Sequence, residues 1–139
     1  MEKNKEESIH WAYWGGPKIS VYFLEECKNI GFLPHLIITT PDRKVGRKQI
    51  LTETPLSKFA KENKIKVLKP ENLKEDEEVK KELNEIDLSF VTAYGKIIPK
   101  ELLDIPKYKT LNFHPSLLPK YRGPSPIISA LLDNEKQTG

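Results

Sequence analysis

The sequence predicts a doubly wound α/β fold with a mainly parallel sheet. Segments rich in β-formers alternate with segments of helical periodicity along the whole chain, and turn residues separate them. The length of 139 residues suits one hydrophobic core, and no internal repeat or linker divides it. Because parallel strands need crossover connections, such alternation implies helices on both faces of the sheet.

The first predicted strand covers residues 9–14 and ends at the turn formed by residues 15–17, whose letters are GGP. Apolar residues then recur every three positions from Lys18, and Gly31 marks the end of this first helix. A second strand is predicted over residues 32–40.

Residues 40–53 are predicted to form a long polar loop. Thr54 and Pro55 then provide an N-cap and a first-turn proline for a second helix. A third strand is predicted over residues 65–68. The helix that follows has acidic residues in its early turns and lysines in its later turns, which suits the helix dipole. The apolar positions Val79, Leu83 and Ile86 are its predicted buried face.

A fourth strand is predicted over residues 88–93, a short helical turn at Pro99, and a fifth strand over residues 110–114. In doubly wound folds, ligands bind outside the carboxyl ends of the strands. We therefore expect the turn 15–17, residues 93–95 and the segment from Asn112 onward to form one site.

Asn112 and His114 are the candidate catalytic residues. Positions i and i+2 of a strand point to the same face, so both side chains would project together while Phe113 turns away. An Asn amide and a His ring can stabilise an oxyanion, and the His can also move protons. The structural alternative is that His114 caps the strand and Asn112 satisfies a backbone group. Four prolines, at positions 115, 119, 124 and 126, stiffen the following segment.

A basic cluster within residues 40–53 contains Arg43, Lys44, Arg47 and Lys48. Such a cluster can bind the phosphates of a nucleic-acid backbone, although a solvated surface loop is the simpler alternative. The turn 15–17 lacks the remaining glycines of a dinucleotide-binding fingerprint, so a tight turn is the expected role for its glycines.

The remaining features indicate a soluble cytoplasmic protein. Residues 1–7 are polar and are expected to be a disordered tail without signal-peptide character. Cys27 is the single cysteine of the chain, which excludes an intramolecular disulfide. It is expected in the core, with Trp11 and Trp14. A net charge of +3 does not by itself indicate nucleic-acid binding.

Four segments together resemble the formyltransferase family that uses 10-formyltetrahydrofolate. In chain order they read GGP, PDRKVGRKQILTETP, VTAYGKIIPKELL and LNFHPSLLPKYRGPSPI, the last followed by a trailing TG. The resemblance covers nearly the whole chain and is strongest to members that act on methionyl-tRNA. It implies a Rossmann-like N-terminal catalytic domain over residues 8–139, incomplete at its C-terminal end.

The resemblance also assigns residues. Asn112 and His114 match the catalytic pair, and the basic residues of the loop match the element that contacts initiator tRNA. The folate-binding positions it implies are Tyr94, Gly95, Ser116, Leu117, Leu118 and Pro119. The implied reaction transfers the formyl group of 10-formyltetrahydrofolate to the α-amine of methionyl-tRNA, needs no metal, and involves a full-length monomer.

Two departures from the family pattern matter. Gly16 stands where the family usually has Thr, and the family's catalytic Asp follows the position of Gly139. Asp133 lies ahead of that position and is not a substitute. We therefore expect the 139 residues alone to transfer formyl groups poorly. The alternatives are an amino-sugar-nucleotide formyltransferase, a non-catalytic folate- or RNA-binding module and, more distantly, a dinucleotide-binding domain.

Overall fold

The structure is a computed structural model that describes residues 8–139, so the predicted tail over residues 1–7 lies outside the described residues. The strands are β1 (Trp11–Gly15), β2 (Leu36–Ile38), β3 (Arg43–Val45), β4 (Ile50–Thr52), β5 (Lys66–Leu68), β6 (Leu88–Thr92) and β7 (Thr110–Asn112). The helices are α1 (Lys18–Asn29), α2 (Pro55–Glu62), α3 (Glu77–Leu83), α4 (Lys100–Leu103) and α5 (Pro126–Leu132).

Five of the strands form one parallel sheet in the order β5-β2-β1-β6-β7. The chain builds outward from β1 through β2 to β5, then returns to the other side of β1 to add β6 and β7. The direction of winding therefore reverses between β1 and β6, where Trp14 is in register with Val91. Ligands of doubly wound folds bind at such a reversal.

Alternating residues of β1 supply both layers of the core. Trp11 and Tyr13 pack on one face with buried residues of α1 and α2, including Leu24 and Phe59. On the other face, Ala12 and Trp14 pack with residues of α3 and α4. Helices thus cover both faces, which confirms the doubly wound prediction, and Trp11, Trp14 and Cys27 are buried as expected.

Several local predictions are confirmed. The side chain of Thr54 accepts a hydrogen bond from the backbone N–H of Ser57 at 3.0 Å, and Pro55 begins α2. Gly31 follows α1 with φ +71°, a conformation that glycine adopts without steric cost. The apolar positions predicted for α3, Val79 and Leu83, are buried, as is Ile86 just after it.

The prediction of a loop over residues 40–53 is wrong. Residues 43–45 and 50–52 pair as an antiparallel hairpin, with Arg43 opposite Thr52. The connection uses Gly46 at φ +73° and Gln49 at φ +50°. The high content of charged residues in this segment concealed the β-branched positions that flank the turn.

The fifth predicted strand is shorter than expected, because β7 ends at Asn112 and His114 lies beyond it. The neighbouring strand β6 ends at Thr92, and Ala93 then turns with φ +51°. No backbone of β6 therefore remains for His114 to pair with. Leu111 and Phe113, on this edge strand and just after it, are 54% and 41% exposed.

The helices of residues 8–139 are all too short or too polar to cross a membrane.

Candidate active site

The site begins where β1 turns into α1. The hydroxyl of Ser20 accepts a hydrogen bond from the N–H of Gly16 at 3.2 Å and donates one to the Thr92 carbonyl at 2.7 Å. This buried side chain therefore joins the ends of β1 and β6. A Cβ on Gly15 would lie 2.5 Å from the Ser20 hydroxyl oxygen and 2.9 Å from the Thr92 carbonyl oxygen, so only glycine fits there.

A cavity of about 920 Å³ opens at the carboxyl ends of β6 and β7. Most of its wall is apolar, and the polar side chains of Asn112 and His114 interrupt that wall. Its volume is within the usual range for small-molecule sites. The lining residues are Ile19, Phe23, Val91, Thr92, Ala93, Tyr94, Gly95, Lys96, Ile97, Asn112, Phe113, His114, Pro115, Gly123, Pro124, Ser125, Pro126, Ile127 and Ile128.

Asn112 and His114 line this cavity together, as predicted, although only Asn112 belongs to β7. The ring of Phe113 packs on Phe23 of α1 and Phe90 of β6, at centroid distances of 4.6 and 5.4 Å. This aromatic packing fixes the backbone between the two polar side chains.

Both ring nitrogens of His114 have partners. Nδ1 lies 2.9 Å from the hydroxyl of Ser116, and Nε2 lies 3.2 Å from the carbonyl oxygen of Gly123. The Ser116 hydroxyl also donates to the carbonyl of Lys120 at 2.8 Å. The proline-rich segment therefore folds back around the imidazole and holds it against the cavity.

A smaller cavity of about 330 Å³ lies at the reversal between β1 and β6. Gly16 and the start of α2 form part of its wall, and Arg43 of the hairpin brings a positive charge to it. Residues 93–95 line both cavities. Two neighbouring ligands could thus meet across this shared wall.

The side chain of Tyr94 belongs to the core. It is 3% exposed, and its ring meets Trp14 edge-on at a centroid distance of 5.2 Å. Burial, assisted by the negative charge of Asp76, raises the pKa of Tyr94 to about 12. Its hydroxyl has no hydrogen-bond partner among the described residues. Gly95, at φ +79°, continues the turn that brings this segment to the cavity.

Ser116 through Pro119, predicted to bind folate, are absent from the lining of both cavities described above. Ser116 is buried, whereas Leu117 and Leu118 are 55% and 58% exposed. The peptide bond between Leu118 and Pro119 is cis.

Asp133 lies elsewhere: its carboxylate accepts a hydrogen bond from the Tyr121 hydroxyl at 3.0 Å. Within residues 8–139, no group of three or more His, Cys, Asp or Glu side chains is placed to hold a metal ion.

The predicted tRNA-binding residues Arg43, Lys44, Arg47 and Lys48 are all exposed on the hairpin formed by β3 and β4. Ion pairs hold the base of this hairpin. Lys69, after β5, donates to Asp42 at 2.5 Å and lies 3.9 Å from Glu53. Glu53 also pairs with Lys61 of α2 at 2.6 Å, which lowers the pKa of Glu53 through that hydrogen bond.

Comparison with known proteins identifies the family. The family model described as formyl transferase matches residues 15–139. The chain belongs to the formyl transferase family.

Two curated relatives illustrate the similarity and carry the same name. A methionyl-tRNA formyltransferase of Caldicellulosiruptor saccharolyticus is 49% identical over 131 residues, which cover 92% of this chain and 42% of that protein. Another, of Halalkalibacterium halodurans, is 41% identical over 129 residues, covering 92% of this chain and 41% of that protein. The chain therefore spans about two fifths of the length of these relatives.

Solved formyltransferases share the fold. The phosphoribosylglycinamide formyltransferase of Bacillus halodurans has a TM-score of 0.70 and 24% identity, and the match covers 95% of this chain and 69% of that one. The enzyme of Anaplasma phagocytophilum has a TM-score of 0.73 and 20% identity, covering 96% and 62%. At these identities the likeness supports the fold alone.

Sequence reasoning missed part of the site. Ile19 and Phe23 of α1 and Ile127 and Ile128 of α5 line the larger cavity, and nothing in the sequence distinguishes them from other apolar helix residues. The Gly123 carbonyl was also missed, since nothing in a sequence indicates where a main-chain oxygen will point.

Proposed function

We propose that this chain carries the formyl-transfer site of an enzyme that formylates the α-amine of methionyl-initiator-tRNA with 10-formyltetrahydrofolate. The observation that carries the proposal is the placement of Asn112 and His114. They line a large apolar cavity whose wall at residues 93–95 also bounds a smaller cavity beside a basic hairpin. The names of the curated relatives support the same acceptor.

The formyl donor would bind in the larger cavity. The faces of a pterin ring suit apolar contact, and its edge carries donors and acceptors that backbone groups can satisfy. The segment of Tyr94 and Gly95 offers such backbone groups at the cavity wall, and the isoleucines of α5 offer apolar contact. The segment 116–119 would contact the donor from outside the cavity, as the family resemblance predicts.

The acceptor would approach from the hairpin. Its exposed basic residues match the repeating negative charge of an RNA backbone. Arg43 joins this surface to the smaller cavity, so an aminoacylated 3′ end could lie there with its amine at the shared wall. A translation substrate implies a cytoplasmic protein, and we propose that location together with a monomeric full-length form.

The proposed reaction uses this arrangement. The amine nitrogen forms a bond to the formyl carbon, and the carbonyl electron pair moves to oxygen. The amide of Asn112 and an N–H of His114 would donate to this oxyanion. When the electron pair returns, the bond to N10 of the folate breaks, N10 gains a proton and the amine nitrogen loses one. The products are an N-formyl amide and tetrahydrofolate.

Calorimetric titration with a stable analogue of the formyl donor tests the donor site. Ile97→Asp would place a charge in the cavity wall at a side chain that is 94% exposed, so the fold should tolerate it. We expect the affinity to fall by about ten-fold or more, equivalent to about 1.4 kcal/mol. Leu132→Asp, on α5 but outside the lining, is the matched control.

Two further variants locate the donor. Leu117→Asp should weaken binding if segment 116–119 contacts the folate, and Asn112→Ala should have a smaller effect on binding than on transfer. Absence of binding by a chain with a normal near-UV circular dichroism spectrum would contradict the donor assignment.

RNA binding at several salt concentrations tests the acceptor side. Arg47→Gln should reduce the slope of log affinity against log salt by roughly 0.7–0.9. Lys58→Gln, at an exposed lysine of α2 outside the hairpin, should leave this slope nearly unchanged. If an amino-sugar nucleotide displaces the bound RNA and methionyl-initiator-tRNA does not, the acceptor site belongs to an amino-sugar-nucleotide formyltransferase.

A further inference from the structure

Gly16 occupies a position that neither backbone conformation nor packing reserves for glycine. A Cβ there would meet no atom closer than the hydroxyl oxygens of Thr39 and Thr40, at 3.8 and 4.0 Å, which are ordinary contact distances. Gly15, one position earlier, is instead closed by its neighbours. Four other glycines have the positive φ that side chains disfavour: Gly31, Gly46, Gly95 and Gly123. Gly16 is not among them, so the chain leaves room at position 16 that a side chain would take.

This room belongs to the smaller cavity. Gly16 and Thr40 both line that cavity, so a side chain at position 16 would extend along its wall. Two prolines of the same wall adjoin Gly16. Pro17 follows it in the chain, and Pro55 begins the helix whose Leu56 N–H donates to the Gly16 carbonyl at 3.2 Å.

This part of the wall offers few groups for hydrogen bonding. The prolines have no N–H, and the N–H of Gly16 already donates to the Ser20 hydroxyl. The Gly16 carbonyl has the Leu56 N–H as its partner. A polar group placed here would lose its water without gaining partners, so an apolar group fits better. The positive charge of the cavity comes from Arg43, on the hairpin.

We propose that Gly16 is a specificity-determining residue that widens the acceptor site, so that the site takes acceptors whose apolar side chain is wider than that of methionine, aromatic side chains included. This inference rests on the proposed function, in which the aminoacyl group enters the smaller cavity. Phosphates of the acceptor would lie toward Arg43, and its apolar side chain against Gly16 and the two prolines. A β-branched side chain at position 16 would narrow the site and leave room for a slender, unbranched group only.

Two RNA probes test the proposal. Each is a short RNA duplex whose 3′ end carries an amino acid through a hydrolysis-resistant amide, methionine in one probe and phenylalanine in the other. The ratio of their affinities cancels the contribution of the shared RNA. We expect the unmodified chain to bind the two probes within about three-fold of each other. Gly16→Thr should weaken the phenylalanine probe by about ten-fold or more and the methionine probe by less than about three-fold.

Lys18→Thr is the matched control, because it adds a threonine outside the lining of both cavities and should leave the ratio unchanged. The near-UV circular dichroism of the buried tryptophans shows that each variant is folded. An affinity ratio that is the same in folded Gly16→Thr and the unmodified chain would overturn this inference alone. So would exclusion of the phenylalanine probe by the unmodified chain. If the unmodified chain binds neither probe, the proposed acceptor site falls together with the inference.

Discussion

Gly15 and Gly16 are adjacent, yet their surroundings differ. A Cβ on Gly15 would lie within 3 Å of both Ser20 and Thr92, whereas the nearest atom to a Cβ on Gly16 is 3.8 Å away. The first position is closed by the hydroxyl that joins β1 to β6, and the second opens on the smaller cavity.

We expect Gly15→Ala to lower the free energy of unfolding by about 1–3 kcal/mol, because the added methyl group must displace Ser20 or the backbone of Thr92. Gly16→Ala should change it by less than about 0.5 kcal/mol. Urea unfolding of the two variants and the unmodified chain measures this difference. Equal midpoints for the two variants would show that the close packing around Gly15 does not exist in solution.

Among the secondary-structure elements, the hairpin of β3 and β4 carries the four basic residues predicted to bind tRNA, and ion pairs hold its base. Lys69 reaches both chains at the base, since Asp42 precedes β3 and Glu53 follows β4. Side-chain exposures of 24%, 34% and 30% make this cluster less screened by water than an ordinary surface pair.

Lys69→Met should remove the ion pairs of Lys69 with Asp42 and Glu53 at the base of the hairpin. We expect a loss of about 1 kcal/mol in stability, near the upper limit for surface ion pairs, and RNA affinity several-fold lower. Lys58→Met removes the same charge from an exposed site outside the hairpin and is the control for net charge. Urea unfolding and RNA titration of both variants measure the two effects. If both variants bind RNA equally, the cluster does not position the hairpin.

At the scale of the whole molecule, we expect stability to depend on pH through a pair of histidines at the opposite end of the sheet from the cavities. The rings of His10 and His35 stack at a centroid distance of 4.2 Å. Burial, and then the charge of His10, lowers the pKa of His35, while Asp87 opposes this shift. The neutral ring also accepts the hydrogen bond from Trp11. The folded state therefore favours neutral His35.

Because the pKa of His35 is lower in the folded than in the unfolded chain, its contribution to stability is present above the unfolded value of about 6.5. This contribution is lost as the pH falls from the pKa of the unfolded chain through the lower pKa of His35 in the folded chain. His35→Asn keeps an acceptor for the Trp11 N–H and should flatten this dependence. Urea midpoints measured at several pH values test it, and an unchanged pH slope in the variant would contradict it.

For the molecule as a whole, the sequence predicts the parallel sheet well. Buried strands leave apolar segments, and the helices between them leave start signals such as Thr54-Pro55. It also places Asn112 and His114 together, since spacing along one segment is a local property. It does not predict the partners of His114. The partners are the hydroxyl of Ser116 and the main-chain oxygen of Gly123. They reach the ring because the chain folds back on itself after His114, and no local sequence pattern shows this.

The wall formed by residues 93–95 is shared by the two cavities. A single compound with one arm in each cavity would pay the entropy of association once, and its second arm would bind at the high local concentration set by a short tether. On the proposed function, joining a folate-like ring to a small amide across that wall is a route to a tight inhibitor.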